Sequence, residues 1–204
     1  MFGFFASLSR KRNLAKLRDE KFAFLFDDIE EEYVVFDTET TGLNPKVDEI
    51  LSIGAVRVKG NKILTSQTFE AFVKNEKEIS KKSIEVHKIR PCDLENARSA
   101  NEVMIDFLHF IEGRVLVGYY LEFDIAMINK YISPLLGIKL PNKTIEISEL
   151  YYDAQIERIP NGNIDLRFDT MLTKYKIPKM GLHNAVNDAV MSAMIFLKLQ
   201  GAKK

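Results

Sequence analysis

The chain has 204 residues, 46% of them apolar and 28% charged, which suits one well-buried domain and excludes a disordered chain. Its 29 basic residues match 29 acidic ones, so net charge gives no pull toward nucleic acid; such binding must come from local basic patches or from metal ions that offset clustered carboxylates. A lone cysteine, Cys92, excludes an internal disulfide framework, and no apolar run approaches the ~20 residues that span a bilayer.

Residues 1–32 read as an N-terminal helical extension, basic at first (Arg10, Lys11, Arg12) and acidic at its end (Glu30, Glu31, Glu32). Its apolar start precedes the basic residues, the reverse of a secretory signal, so a cytoplasmic location with no membrane association is expected. Leu14, Leu17, Phe22, Leu25 and Ile29 recur at helical spacing and predict one or two amphipathic helices packed on the domain. The sharper alternative is a docking arm for a protein partner or a second copy, with Phe2, Phe4 and Phe5 as anchors.

The domain proper is expected over 33–204. Residues 33–39 predict a buried strand. Alternation over 50–59, the turn signal Gly60-Asn61 and a second run at 63–73 predict a hairpin. Lys74, Lys77, Lys81 and Lys82 read as a solvated face that could also meet a phosphate backbone, and Ser80 caps a short helix ending near His87. An amphipathic helix over 101–112 feeds a strand at 115–117, then a helix at 125–132 that ends before Pro134. An edge strand at 144–147 is followed by helices at 148–157, 165–175 and 184–199, with a loop around Pro160-Asn161-Gly162. A hairpin followed by alternating helices and strands predicts an α/β fold, a mixed sheet covered by helices.

Three short stretches carry chemistry. In Asp37-Thr38-Glu39 a strand would place both acids on one face and Thr38 on the other; two such carboxylates repel unless a cation sits between them, and Mg2+ or Mn2+ suits oxygen ligands. Alone, an Asp-x-Glu pair is as well explained as a strand ending in a polar turn through Thr40, Thr41 and Gly42. Asp124 follows the strand at 115–117, either as a helix cap or as a third carboxylate where open α/β sheets place ligands. His183 precedes Asp188 by five residues, about 140° around a helix, so the two share a site if His183 lies in the entering loop. That geometry suits a mobile base beside a fixed ligand. The remaining histidines, His87 and His109, read as surface or capping residues.

Taken together, Asp37-x-Glu39-Thr40-Thr41-Gly42-Leu43, Phe123-Asp124 and His183-x-Ala185-x-x-Asp188-Ala189 resemble, in order and spacing, the DEDDh 3′-5′ exonucleases, the group that includes the epsilon subunit of bacterial DNA polymerase III and RNase T. The resemblance covers about residues 33–200. It implies an RNase H-like mixed five-stranded sheet flanked by helices, and two divalent metal ions, Mg2+ or Mn2+, held by Asp37, Glu39, Asp124 and Asp188. It also implies His183 as general base, histidine being the side chain that titrates near neutrality. The implied reaction is removal of 5′-mononucleotides from the free 3′ end of single-stranded or frayed DNA. RNA or short oligonucleotides are the alternative substrates, and a non-catalytic module for nucleic-acid ends or a partner is the alternative class. A pocket for the terminal nucleotide is implied at Thr38, Thr40, Thr41, Gly42, Leu43, Tyr120 and Phe123, with the backbone and a threonine hydroxyl meeting the 3′-OH and Leu43 packing on the base.

Two positions depart from the family pattern. Tyr119-Tyr120 stands where His-Asn is common, which bears on substrate choice more than on metal binding. His87-Lys88-Ile89 replaces a frequent His-Gly-Ile turn. Lys204 follows the last helix directly, where the epsilon subunit continues into the tail that holds its polymerase, so the expected role lies outside a stable replicase.

Overall fold

Strands that carry apolar residues at successive positions are buried on both faces and require helices on each side. The structure, a computed structural model, describes residues 10–156, 162–181 and 183–201. Phe2, Phe4, Phe5, the turn residues Pro160 and Asn161, and the end of the helix expected at 148–157 lie outside them. Five strands, β1 (Glu32–Thr40), β2 (Ile50–Lys59), β3 (Lys62–Phe72), β4 (Val115–Gly118) and β5 (Thr144–Glu146), form one sheet in the order β3-β2-β1-β4-β5. The β1–β2 and β2–β3 pairs are antiparallel, whereas β4 runs parallel to β1 and β5 parallel to β4. The helices are α1 (Lys81–His87), α2 (Ala100–Ile111), α3 (Leu121–Leu136), α4 (Ile147–Ile156), α5 (Phe168–Tyr175) and α6 (Ala185–Gly201).

Alternation along β1 divides the core. Val34 and Phe36 join Phe107 and Leu108 of α2 and Met127 and Ile128 of α3 on one face. Val35 joins Val56, Val58 and Val117 under Met191, Ile195 and Phe196 of α6 on the other. Asp37 and Glu39 therefore continue the α6 face and Thr38 the α3 face, as the period of a strand dictates. Gly54 on β2, paired with Asp37 of β1, admits α6 very closely: a Cβ there would stand 2.1 Å from the carbonyl carbon of Ala185 and the nitrogen of Val186. The first turn of α6 thus lies on the sheet directly beside β1.

The extension differs from the expected amphipathic helices. Its described part is a short helical turn at 10–14 and a 3-10 helix, Glu20–Phe26, capped by Asp19. Phe22 and Leu25 are fully buried in the α2–α3 core and anchor this segment to the domain. The chain also crosses Gly113, where a Cβ would meet the Asp27 carbonyl oxygen at 1.6 Å.

Two helices differ from their expected bounds. Helix α3 runs from Leu121 to Leu136 with Pro134 inside it, because outside donors serve the last turn: the Arg18 guanidinium and amide reach the carbonyls of Pro134 (2.5 Å) and Leu136 (2.9 Å). Helix α5 begins at Phe168 instead of Asp165, since the Asp165 carboxylate accepts from the Arg167 amide (3.0 Å) and the Thr170 hydroxyl (2.7 Å), holding the chain in a turn ahead of the helix.

Candidate active site

The end of β1, the first turn of α3 and the first turn of α6 meet in one place. Asp37 and Glu39 leave β1 on the α6 side. Asp124 reaches the same strand end from α3, where its Oδ1 accepts from the Thr38 amide (3.0 Å) and the Thr38 hydroxyl (2.5 Å). Asp188 comes down from α6, and its Oδ2 accepts from the backbone N–H of His183 at 2.9 Å. His183 is exposed in the loop ahead of the helix and takes a left-handed backbone, φ +63°. One ligand atom each from Glu39, His183 and Asp188 lies within 4.8 Å of the others.

Electrostatics at this point are unfavourable for bare carboxylates. Burial, then the charges of Asp124, Glu39 and Asp188, push the Asp37 carboxyl well above its ordinary value. Glu39 rises to about 7 through burial and the charges of Asp188 and Asp124. Asp124 also rises to about 7, with burial outweighing its two bonds from Thr38. Asp188 is raised by burial against the His183 amide, and its Oδ1 is buried with no hydrogen-bond partner among the described residues. A cluster of oxygen donors with an orphaned lone pair and elevated carboxyls is matched to hard divalent cations.

A cleft of about 700 Å3 opens from this cluster, and every site residue singled out from the sequence lines it. Leu43, 83% exposed, and Tyr120, 68% exposed, both line it. The Tyr120 and Phe123 rings lie nearly parallel, 6.2 Å apart at 17°. The threonine hydroxyls are also bonded within the protein. Thr38 holds Asp124, Thr40 donates to the Gly42 carbonyl (2.7 Å), and Thr41 donates to Asp48 (3.0 Å) while accepting from the Glu49 amide (3.0 Å). They shape the rim loop that presents Leu43. Gly42 serves the same loop, since a Cβ there would meet the Asp48 carboxylate at 2.7 Å.

Two residues at the site escaped the sequence reading. His87 is buried, not on the surface, and lines the cleft; its Nδ1 accepts from the Ile89 amide (3.0 Å), and its Nε2 is buried without a partner among the described residues. Burial, and then the charge of nearby His183, lower its pKa. Its place in the His87-Lys88-Ile89 turn was the available signal. Glu146, at the end of β5, accepts from the amides of Tyr120 (3.1 Å) and Leu121 (2.7 Å), fixing the left-handed Tyr120 and the start of α3. His109 lies elsewhere, stacked on Phe24 at 4.8 Å.

Comparison with known proteins agrees with this geometry. An exonuclease family, RNase T, matches residues 34–196. The chain is similar to a PolC-type DNA polymerase III of Thermotoga maritima, 33% identical over 166 residues, which is 81% of this chain and 12% of that protein. It is also similar to the DNA polymerase III epsilon subunit of Rickettsia felis, 28% identical over 174 residues, 84% of this chain and 75% of that one. The chain thus spans about an eighth of the length of the PolC-type relatives. Among solved structures, E. coli exonuclease I in complex with a dT13 oligonucleotide shares the fold with TM-score 0.71 at 13% identity, over 85% of this chain and 42% of that one.

Proposed function

The chain belongs to the RNase T exonuclease family, and from that premise we propose that it is a metal-dependent 3′-5′ exonuclease, acting in the cytoplasm on single-stranded or frayed DNA ends and releasing 5′-mononucleotides. The observation that carries this reading is the meeting of four carboxylates from β1, α3 and α6 beside His183, all with acidities weakened by burial and, for Asp37 and Glu39, by the neighbouring carboxylates. Asp37, Glu39, Asp124 and Asp188 would hold two Mg2+ or Mn2+ ions. The orphaned Asp188 oxygen and the all-oxygen donor set fit such ions. When bound, the pair supplies neutralising charge for the phosphate and an activated water for in-line attack on phosphorus.

The remaining work falls to the chain's own groups. Thr38 orients the Asp124 carboxylate from the far face of β1. The His183 amide orients Asp188 and so couples the loop to α6, while the exposed imidazole takes the proton of the attacking water. Leu43, Tyr120 and Phe123, which line the cleft, hold the terminal base, which must leave its stack to enter. Frayed or single-stranded ends satisfy that requirement at least cost.

The test is release of 5′-mononucleotides from labelled single-stranded DNA with Mg2+ or Mn2+. Asp37→Asn abolishes it; undiminished release by that variant would defeat the assignment. His183→Ala lowers the rate by about 10²–10⁴-fold, the usual contribution of a general base. Metal binding by calorimetry stays near wild type, and loss of metal binding in His183→Ala would contradict the base role.

A further inference from the structure

The lysines at 74–82 are separated by the structure. Lys77 is tied to Glu49 (2.5 Å) and to the Val47 carbonyl (2.9 Å), and Lys74 faces Glu76 at 4.0 Å. Lys82 lines the cleft instead, where no other lysine or arginine is found among the lining residues, and its ammonium has no ion pair or hydrogen bond among the described residues. Its position is fixed relative to the rim. Ser80 caps α1 through the Ser83 amide (3.1 Å), and the Ser83 hydroxyl donates to the Thr41 carbonyl (2.6 Å), which ties the first turn of α1 to the loop carrying Leu43.

We infer that Lys82 binds a backbone phosphate of the substrate strand on the 5′ side of the scissile bond, and so makes the protein favour substrates of three or more nucleotides over a dinucleotide. This rests on the exonuclease reading above. With the terminal nucleotide in the pocket and the scissile phosphate at the carboxylates, all remaining phosphates of a strand cut from its 3′ end lie on the 5′ side and must leave along the cleft. The cleft floor is acidic, and Lys82 is the one lysine or arginine among its described lining residues, so beyond the reach of bound metals it is the cation there that a strand meets. A compact ammonium on a flexible stem recognises a phosphate as a point charge and takes no account of the base. A dinucleotide contains only the scissile phosphate; the first phosphate Lys82 can reach appears in a trinucleotide.

The experiment compares kcat/KM for di-, tri- and hexathymidylate with Mg2+ across a salt series in wild type, Lys82→Ala and Lys82→Arg, with the matching oligouridylates as a second series. The trinucleotide-to-dinucleotide ratio is expected to fall about fivefold in Lys82→Ala and to recover in Lys82→Arg, the scale of one exposed ionic contact. On the hexamer, the slope of log kcat/KM against log salt becomes shallower by about 0.7, the loss of one counterion-releasing contact on a single strand. A ratio and slope in Lys82→Ala equal to wild type would overturn the inference while leaving the exonuclease reading intact. A wild-type protein that cleaves none of the oligonucleotides in either series would overturn both.

Discussion

Replacing Glu39 by glutamine isolates the electrostatic cost of the carboxylate cluster. Glu39 is 8% exposed and its pKa stands at about 7, against 4.5 ordinarily. Between those values the folded metal-free protein keeps the proton that the unfolded chain releases, so stability is fully present below pH 4.5 and is lost as pH rises toward 7. The interval corresponds to about 3 kcal/mol for this one group, as an upper figure. Glutamine has nearly the same shape and cannot titrate. In EDTA, wild type is therefore expected to lose about 3 kcal/mol relative to Glu39→Gln between pH 4.5 and pH 8, part of it shared with Asp188 and Asp124, whose charges raise Glu39. Urea unfolding followed by circular dichroism at a series of pH values measures the gap directly. Added Mg2+ restores stability at pH 8, more in wild type than in the variant, because binding to the folded state adds to its stability. A wild-type-minus-variant gap that stays constant from pH 4.5 to 8 in EDTA would show that Glu39 carries no such burden.

Thr38→Val removes a hydroxyl that holds Asp124 while keeping the side-chain volume. Metal affinity, read by calorimetry, is expected to weaken about 10–100-fold, as for other groups that orient a metal ligand; unchanged affinity would assign Thr38 to packing alone. Gly54→Ala inserts a methyl group 2.1 Å from the backbone of Ala185 and Val186. The first turn of α6 must move away from β1, which costs about 1–3 kcal/mol in chemical denaturation and lowers kcat by displacing Asp188 from Asp37 and Glu39. Wild-type stability with wild-type kcat in Gly54→Ala would refute the close approach.

How far the sequence disclosed this arrangement depends on the range over which each feature is encoded. The hairpin of β2 and β3 and the faces of β1 follow from period-two alternation and a two-residue turn, information held within about ten neighbours, and they fall where alternation puts them. Helix ends were less legible because distant groups set them. The start of α3 is held by Glu146, 25 residues after Leu121, and its end by Arg18, more than a hundred residues before Leu136. The acids of the site were visible as types at spacings, yet the tie between Thr38 and Asp124 spans 86 residues and leaves no local trace. The sequence reading accordingly gave Thr38 no part in holding Asp124. His87 shows the opposite failure: a lone histidine at a helix end looks the same whether it points to solvent or into a cleft, and only burial separates the two. Gly54 marks another place where a local signal existed and went unused. A glycine inside an otherwise apolar strand means a missing side chain where another backbone comes close. Here that backbone is α6, and its approach is what brings Asp188 within reach of the acids on β1.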